Sequence, residues 1–541
     1  MRLDTILLTL AAAFLAGRAE AQGPDTTPPT FLTAPVATMN PNPAAPLTGR
    51  LQLTSDEPVH VEVYVREATR VFRFLASPGP STSHDVPLVG FRQNRPHRLT
   101  IVIRDTAGNR TTWPDGLVLT TPPLPTNFPP LRVTTTQPAL MEPGVTLTGL
   151  RWSSPTVPGS GTYCVYLDDA GEVVWLYETA LGLRDVIRLR NGNFLIHANN
   201  RLAQEVDLYG NIVTQWYAAR INAVGAPPGA ILVDCDSFHH ELHELPLGEA
   251  GHFLTLSTEM RTLPNYPSSE TDQTQTTPTA NVIGDVVVEF KRDGTVVREY
   301  STFQNLDAYR LGYMSLAGIY NALYGGVITY DWTHGNAVSF DPTDDTWVIS
   351  LRHQDAVVKV RRSDHSLVWI HGPHDAWGPS FQPYLLTPVG SPFEWQYHQH
   401  SPDMSPSGML TLFDNGNYRA VPPVPAAPTS SWYSRGVGYQ IDPVAMTTTQ
   451  VRSFNDSPPF FSGQFGDVDP LSTTGNWLIA DGAKAVTGQN KSYSRVFEVK
   501  NSLPGGQIVF EVIVNDPTGP TPNPYNWNVY RAERYRKALT Y

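Results

Sequence analysis

From residue 165 onward one device recurs: a strand, a polar turn that often contains Gly, and a second strand. The copies are VYLDDAGEVVWLY (165 to 177), VDLYGNIVTQWY (206 to 217), VVEFKRDGTVVREY (287 to 300), VVKVRRSDHSLVWI (357 to 370), GYQIDPVAMTTTQVRSF (438 to 454) and VFEVKNSLPGGQIVFEV (496 to 512). Four copies are preceded by a further strand in which a polar residue stands eight positions before a Gly. These are Arg184 before Gly192, His240 before Gly248, His400 before Gly408 and Asp467 before Gly475. A fifth such strand starts at His334, with FDPTDD in place of the Gly turn. The first hairpin lacks one, and NWNVYRAERY (526 to 535) at the C-terminus can supply it, since joining the last strand to the first blade closes a propeller. The pattern predicts a six-bladed β-propeller over residues 131–541, with Arg184, His240, His334, His400 and Asp467 converging near one mouth of its channel.

Ahead of this ring the chain changes character. Between about Asp25 and Pro130 it is Pro- and Thr-rich at both ends and carries short alternating strands such as PVHVEVYV (58 to 65), in which Val59, Val61, Val63 and Val65 make one apolar face. Residues 22–130 therefore read as a small β-sandwich of fibronectin III or Ig type followed by the stiff linker TTPPLPTNFPP (120 to 130). The whole chain is expected to be all-β. Residues 1–21 combine an apolar run from Thr5 to Gly17 with Ala19-Glu20-Ala21, an A-x-A-like cleavage site, and predict a secretory signal and export to the periplasm or beyond the cell. No later stretch approaches the roughly 20 apolar residues of a membrane span.

Only 16% of residues are charged and the net charge is −12, so no basic patch is dense enough to track nucleic acid. Cys164 and Cys235 are the only cysteines, too few for a cysteine-built zinc site. Export permits a disulfide between them, worth about 4 kcal/mol on the chain-entropy argument; two separate buried thiols are the alternative.

Histidine is concentrated in three stretches: DCDSFHHELHELP (234 to 246), DWTHGNAVSFDPTDDTWVISLRHQDAVVKV (331 to 360) and YHQHSPDMSPSGMLTLFDNGNYR (397 to 419). If the last is a strand from its start, His398 and His400 share a face. An H-x-N, then S-x-R-H-Q about sixteen residues on, then Q-H followed by F-D-N-G, together with the closing YRAERY, resembles the bacterial arylsulfotransferases over most of residues 130 to 541. These enzymes move a sulfuryl group between phenols without a nucleotide sulfate donor. The resemblance implies that His400 is the nucleophile that becomes transiently sulfurylated, that His334 and Arg352 bind the sulfuryl oxygens with help from Asn336, and that a histidine of the H-H-[DE] segment is the acid/base toward the phenol. His240 is preferred to His239 for that last role because it shares the eight-residue register with His400. His239 and Arg184 join Asn336 as expected substrate contacts. The resemblance further implies an aryl sulfate donor, a phenolic acceptor, no cofactor, no resident metal and a homodimer. One departure stands out: enterobacterial members carry a cysteine pair near the catalytic histidine, and no Cys follows Cys235 here.

The chemistry makes the same demands. A sulfuryl group in transfer spreads negative charge over three oxygens and needs positioned donors. A neutral imidazole, with an ordinary pKa of about 6.5, is a competent nucleophile near neutrality. A second imidazole can give and take the phenol proton in a two-step cycle. Two other readings meet the residues: a metal-dependent propeller with His ligands, against which Arg352 stands as a fixed cation, and a non-catalytic binding propeller, since the fold hosts many functions. The aromatic residues Phe393, Trp395 and Tyr397, adjacent to the His400 segment, are candidates for an acceptor pocket.

Overall fold

The computed structural model describes residues 25–536 apart from 78, 154–160, 180, 184, 247–250, 486–491, 501–505 and 519–525. The expected signal segment and Arg184 therefore lie outside the described residues.

Six sheets, each with four antiparallel strands or more and three of them with an added parallel edge pairing, follow one another in the order the repeat predicts. Their inner strands are, from blade one to blade six, Asn526–Tyr535, Asp185–Arg188, His239–Glu244, Gly335–Asp341, His400–Met404 and Asp467–Pro470. The C-terminal strand pairs with Val145–Ser153 and completes blade one, as predicted. A second closure was not legible in the repeat. Leu131–Thr136, at the start of the ring, pairs with Ile508–Val514 and becomes the outermost strand of blade six. Both chain ends of the propeller are thus tied into sheets that also contain sequence-distant strands.

The ring is held by separate apolar cores, one at each interface between neighbouring blades. Blades three and four meet through Leu254, Leu256, Trp347 and Ile349, and blades five and six through Phe413, Val468 and Ile479. Because each sheet buries both of its faces against neighbours, its strands read as apolar runs rather than strict alternations. Blade one illustrates this, with Thr162–Leu167 buried at every position.

The N-terminal unit is built on one long strand, Gly49–Glu67. Its first half pairs with Val36–Met39 and Ser81–Leu88, its second with Arg70–Leu75 and Pro96–Arg104. Val59, Val61, Val63 and Val65 are all fully buried in the resulting core. The unit rests on blades one and two: Thr48 donates to Leu208 O at 2.7 Å, and Arg92 pairs with Asp168 at 2.8 Å. Cys164 and Cys235 are both free and buried, so the disulfide alternative does not hold. Among the described residues no helix is long and apolar enough to cross a membrane.

Candidate active site

Four of the six inner strands slip register near the same level. The pairing shifts between His239 and Leu242, between Gly335 and Ala337, between His400 and Asp403, and between Val529 and Ala532. The inner strands of blades two and six pair without such a shift. A bulge leaves residues unpaired and re-aims their side chains, and the skipped residues Glu241, Ser401, Pro402 and Arg531 of three of these strands line one cavity. Strain accompanies the turn: His240 (φ 57°), His334 (φ 44°) and Ser401 (φ 50°) all occupy the left-handed region, which costs a residue with a Cβ about 1–3 kcal/mol and clusters at functional sites.

The imidazoles of blades three and four meet directly. His240 and His334 stand edge to face with ring centroids 4.9 Å apart, and His334 stacks on His353 at 4.6 Å. Tyr530, from the closing C-terminal strand, stands 6.3 Å from both His240 and His400. Its hydroxyl donates to Asn336 O at 2.9 Å.

Hydrogen bonds assign the tautomers. His400 Nδ1 lies 2.6 Å from Asn415 Oδ1, while Asn415 Nδ2 donates to Ser462 O at 2.7 Å and Phe465 O at 2.8 Å. Carbonyls only accept, so the amide orientation is set and Nδ1 of His400 must carry the proton. The lone pair is on Nε2. A parallel argument covers blade three. His239 Nε2 contacts Ser257 O at 3.0 Å and therefore holds its proton there; its Nδ1 then accepts from His240 Nδ1 at 2.9 Å. His240 Nε2 is thus the unprotonated nitrogen of its ring. Behind His239 lies Asp285, 3.2 Å from Nε2. Burial raises that carboxyl, but hydrogen bonds from His239, Thr333 and the Gly335 amide outweigh it and hold Asp285 below its ordinary value.

Burial, reinforced by the Arg352 charge, pushes His400 and His334 well below the ordinary imidazole value. Both rings are neutral at pH 7. His334 Nδ1 lies 2.5 Å from Asp331 Oδ2, and burial pushes Asp331 up to about 7. Arg352 is lowered by burial to about 10 and so stays charged. Its backbone donates to His334 O, and one guanidinium nitrogen donates to Gly463 O at 3.2 Å. Among the described residues no carboxylate pairs with it within 4.0 Å. Asp355 and Asp331 act on it only from beyond ion-pair distance, and a buried guanidinium with no directly paired carboxylate is suited to a bound anion.

The remaining expected residues take supporting places. Asn336 is fully buried and its amide donates to Gln399 O at 2.8 Å, bracing the residue before His400. His239 stands behind His240. His398 does not share a strand face with His400, because the strand begins at His400 and His398 is in the left-handed region (φ 54°) with Nδ1 2.9 Å from Asp355. Phe393 and Trp395 pack on Tyr439 and His371 instead of on the site histidines. Besides Tyr530, the tyrosine rings nearest these histidines are Tyr320, 5.5 Å from His239 and 6.4 Å from His334, and Tyr418, 5.1 Å from His398 and stacked on Tyr313 at 4.6 Å. Asp467 is buried further along the channel, in a cavity of about 370 Å³ shared with Asp403, Asp469 and Arg531. As for a metal, Asp331, His334 and His353 bring ligand-type atoms within 4.8 Å of one another. The Arg352 charge, which helps depress both of those histidines, opposes a cation there.

A family model described as arylsulfotransferase (ASST) matches residues 134–525. The chain belongs to the arylsulfotransferase family. Arylsulfate sulfotransferase AssT of Escherichia coli O6:H1 (strain CFT073) is 37% identical over 137 residues, which is 22% of this chain and 22% of that protein. Arylsulfate sulfotransferase AssT of Lelliottia amnigena is 36% identical over 128 residues, 21% of each. The similarity to these arylsulfotransferases thus spans about a fifth of their length. The periplasmic gluconolactonase PpgL of Pseudomonas aeruginosa aligns over 71% of this chain and all of its own with 11% identity and a TM-score of 0.32, too low to bear on function.

Proposed function

We propose that this arylsulfotransferase moves a sulfuryl group from an aryl sulfate to a phenol through a sulfurylated His400, in two steps. The observation that carries the reading is the pairing of a neutral, Nδ1-protonated His400 with the unpaired guanidinium of Arg352 in one buried site.

In the first step the Nε2 lone pair of His400 attacks sulfur. An N–S bond forms, the S–O bond to the aryl group breaks, and the departing phenolate takes a proton from Nε2 of His240, which that nitrogen must gain from solvent before the first cycle and regains from the acceptor in each later one. In the second step neutral His240 removes the acceptor's proton through Nε2, the phenolate oxygen attacks sulfur, and the N–S bond breaks. Electrons and protons balance over the cycle, and His240 returns to its protonated form. Asp285, held ionised behind His239, supports that positive charge. Arg352 faces the sulfuryl oxygens as a donor, and His334 joins it through Nε2–H when Asp331, raised to about 7, holds the proton it shares with Nδ1; each positioned donor contributes about 3 kcal/mol if it acts as oxyanion-hole donors do. Tyr418 is suited to contact the aryl ring by its place beside His398.

The A-x-A-like segment at residues 19–21 supports export of the chain, and the predicted sandwich is the part suited to hold a second copy. Incubation with a chromogenic aryl sulfate, with and without added phenol, tests the reading. Phenol-stimulated release is expected from the wild type and not from His400→Ala, and a tryptic digest without acceptor should show one sulfuryl group on the His400 peptide. Stoichiometric metal together with loss of activity to chelator would replace the reading with the metal-dependent one.

A further inference from the structure

The FDNG motif, Phe413-Asp414-Asn415-Gly416, follows His400 by one hairpin, and the transfer cycle gives it no task. Its three polar or flexible positions are nonetheless fully engaged. Asp414 accepts from the Tyr397 amide at 3.0 Å and pairs with Arg435 at 2.9 Å and Arg419 at 3.3 Å, so the end of the strand Met409–Asp414 is locked to the chain entering His400. Gly416 has φ 73°, and a Cβ there would lie 1.9 Å from Tyr433 O, so only glycine lets the loop pass. Between them Asn415, fully buried, presents its carbonyl to His400 and its amide to two backbone carbonyls.

The geometry points to Asn415 as the positioning residue that fixes His400 in the Nδ1–H tautomer while leaving the imidazole neutral. This inference rests on His400 as the nucleophile. The distinction from the usual partners of functional histidines is chemical. A carboxylate at Nδ1 also orients the ring, but it stabilises the imidazolium and so favours a proton on the nitrogen that must attack. A carboxamide orients the ring without adding charge. Asn is also the residue that can satisfy this position in full: one edge must accept, and the other must donate twice to Ser462 O and Phe465 O. An aspartate would lose both donations, and an alanine would leave Nδ1 and Phe465 O without these bonds and Ser462 O with the Ser434 hydroxyl alone among side chains. The groups facing His400 agree with this. Burial, Arg352, His334 and Arg531 all disfavour a positive charge on it, and the Asn415 bond acts the other way without outweighing them.

The first measurement uses the wild-type protein with ¹⁵N-labelled histidine. His400, identified by the signal lost in His400→Gln, is expected to show a protonated Nδ1 and an unprotonated Nε2 at pH 7; the reverse assignment overturns the inference without needing a variant. In Asn415→Ala the same signal should report a mixture of tautomers. Release of the first phenol should fall by at least tenfold, toward the roughly 10⁴-fold cost of a misassigned imidazole tautomer in the serine protease triad, with the donor KM within about threefold. In Asn415→Asp the acid limb of kcat/KM should move up by about one pH unit or more, because a carboxylate now stabilises the charged ring. A merely structural Asn415 would lower folding yield and leave the limb and the tautomer where they are, and that result also overturns the inference. Mass analysis separates the two levels of the argument: sulfurylation of a residue other than His400 defeats the transfer reading, whereas sulfurylated His400 with an unmoved tautomer and pH limb defeats the role of Asn415 alone.

Discussion

Arg352 and Arg531 are both largely buried against the central channel, one among imidazoles and the other among carboxylates. Arg531 donates to Glu241 at 2.5 Å, lies 3.5 Å from Asp185 and reaches Ser401 Oγ at 3.1 Å. Although burial raises Glu241, the Arg531 charge brings it down to about 2, and the same carboxylates push Arg531 itself well up. Arg352 has backbone contacts and no ion pair among the described residues, and burial draws it down to about 10. A cation whose counter-charges come from the protein is scaffold. A cation that carboxylates reach only from beyond ion-pair distance, as Asp355 and Asp331 do Arg352, is poised for an anionic ligand.

The largest expected effect is on stability. Arg531→Met strands Glu241, which the Arg531 charge holds ionised, as a buried charge and should cost about 3–5 kcal/mol, read as a fall in the urea midpoint. Glu241→Gln added to it should return part of that loss. Arg352→Met removes one donor to Gly463 O and strands no directly paired carboxylate, so its urea midpoint should fall far less than that of Arg531→Met. A loss for Arg352→Met as large as for Arg531→Met would remove the contrast. Activity is expected to divide the other way: Arg352→Met should lose about 10²–10³ in kcat, the scale of one missing oxyanion donor.

A smaller effect is expected in pH dependence. His400 is depressed first by burial and then by the Arg352 charge. The wild-type kcat/KM should therefore hold its plateau as pH falls below 6.5, the ordinary imidazole value, and decline only when His400 gains a proton at its lowered pKa. Removing the guanidinium withdraws one of the two depressing causes, so Arg352→Met should lose its residual activity at a higher pH than wild type. An acid limb that stays in place would separate Arg352 from His400 electrically.

The same contrast bears on what the sequence made legible. Six blades could be read because each hairpin shows its apolar pairs and Gly turn locally, and the convergence of His240, His334 and His400 followed from their register. The slips of the inner strands could not be read, because a bulge moves pairing by a residue without changing composition. That is why Asp467 shared the register of His240 and His400, yet lies on an unslipped strand among carboxylates. The outer strand Leu131–Thr136 escaped notice because its partner, as in Phe510 opposite Thr136, is hundreds of residues away. Asp285, Asp331 and Asp355, which hold His239, His334 and His398, carry no motif of their own; only their distances in the folded chain reveal them. Asn415 was in plain view within FDNG, but its task required knowing that the hairpin returns it to His400.

The smallest expected effect concerns Asp467. Burial pushes its carboxyl up to about 7, with further repulsion from Glu533 and Glu241 outdone in part by Arg531. A carboxyl raised above its ordinary value of 3.8 holds a proton in the folded state that the unfolded chain has already released. Its contribution to stability is therefore fully present below pH 3.8 and is lost as pH rises through about 7. Asp467→Asn replaces the neutral acid with a neutral amide of similar shape and abolishes that titration. The variant should be at least as stable as wild type at pH 8, and its advantage should shrink toward pH 5, in paired urea titrations. Sulfuryl transfer at pH 7 should be unchanged within about twofold, since Asp467 belongs with the carboxylates around Arg531. A large loss of transfer in Asp467→Asn, without a change in stability, would join the two halves of the channel into one functional unit and end the distinction between the two arginines.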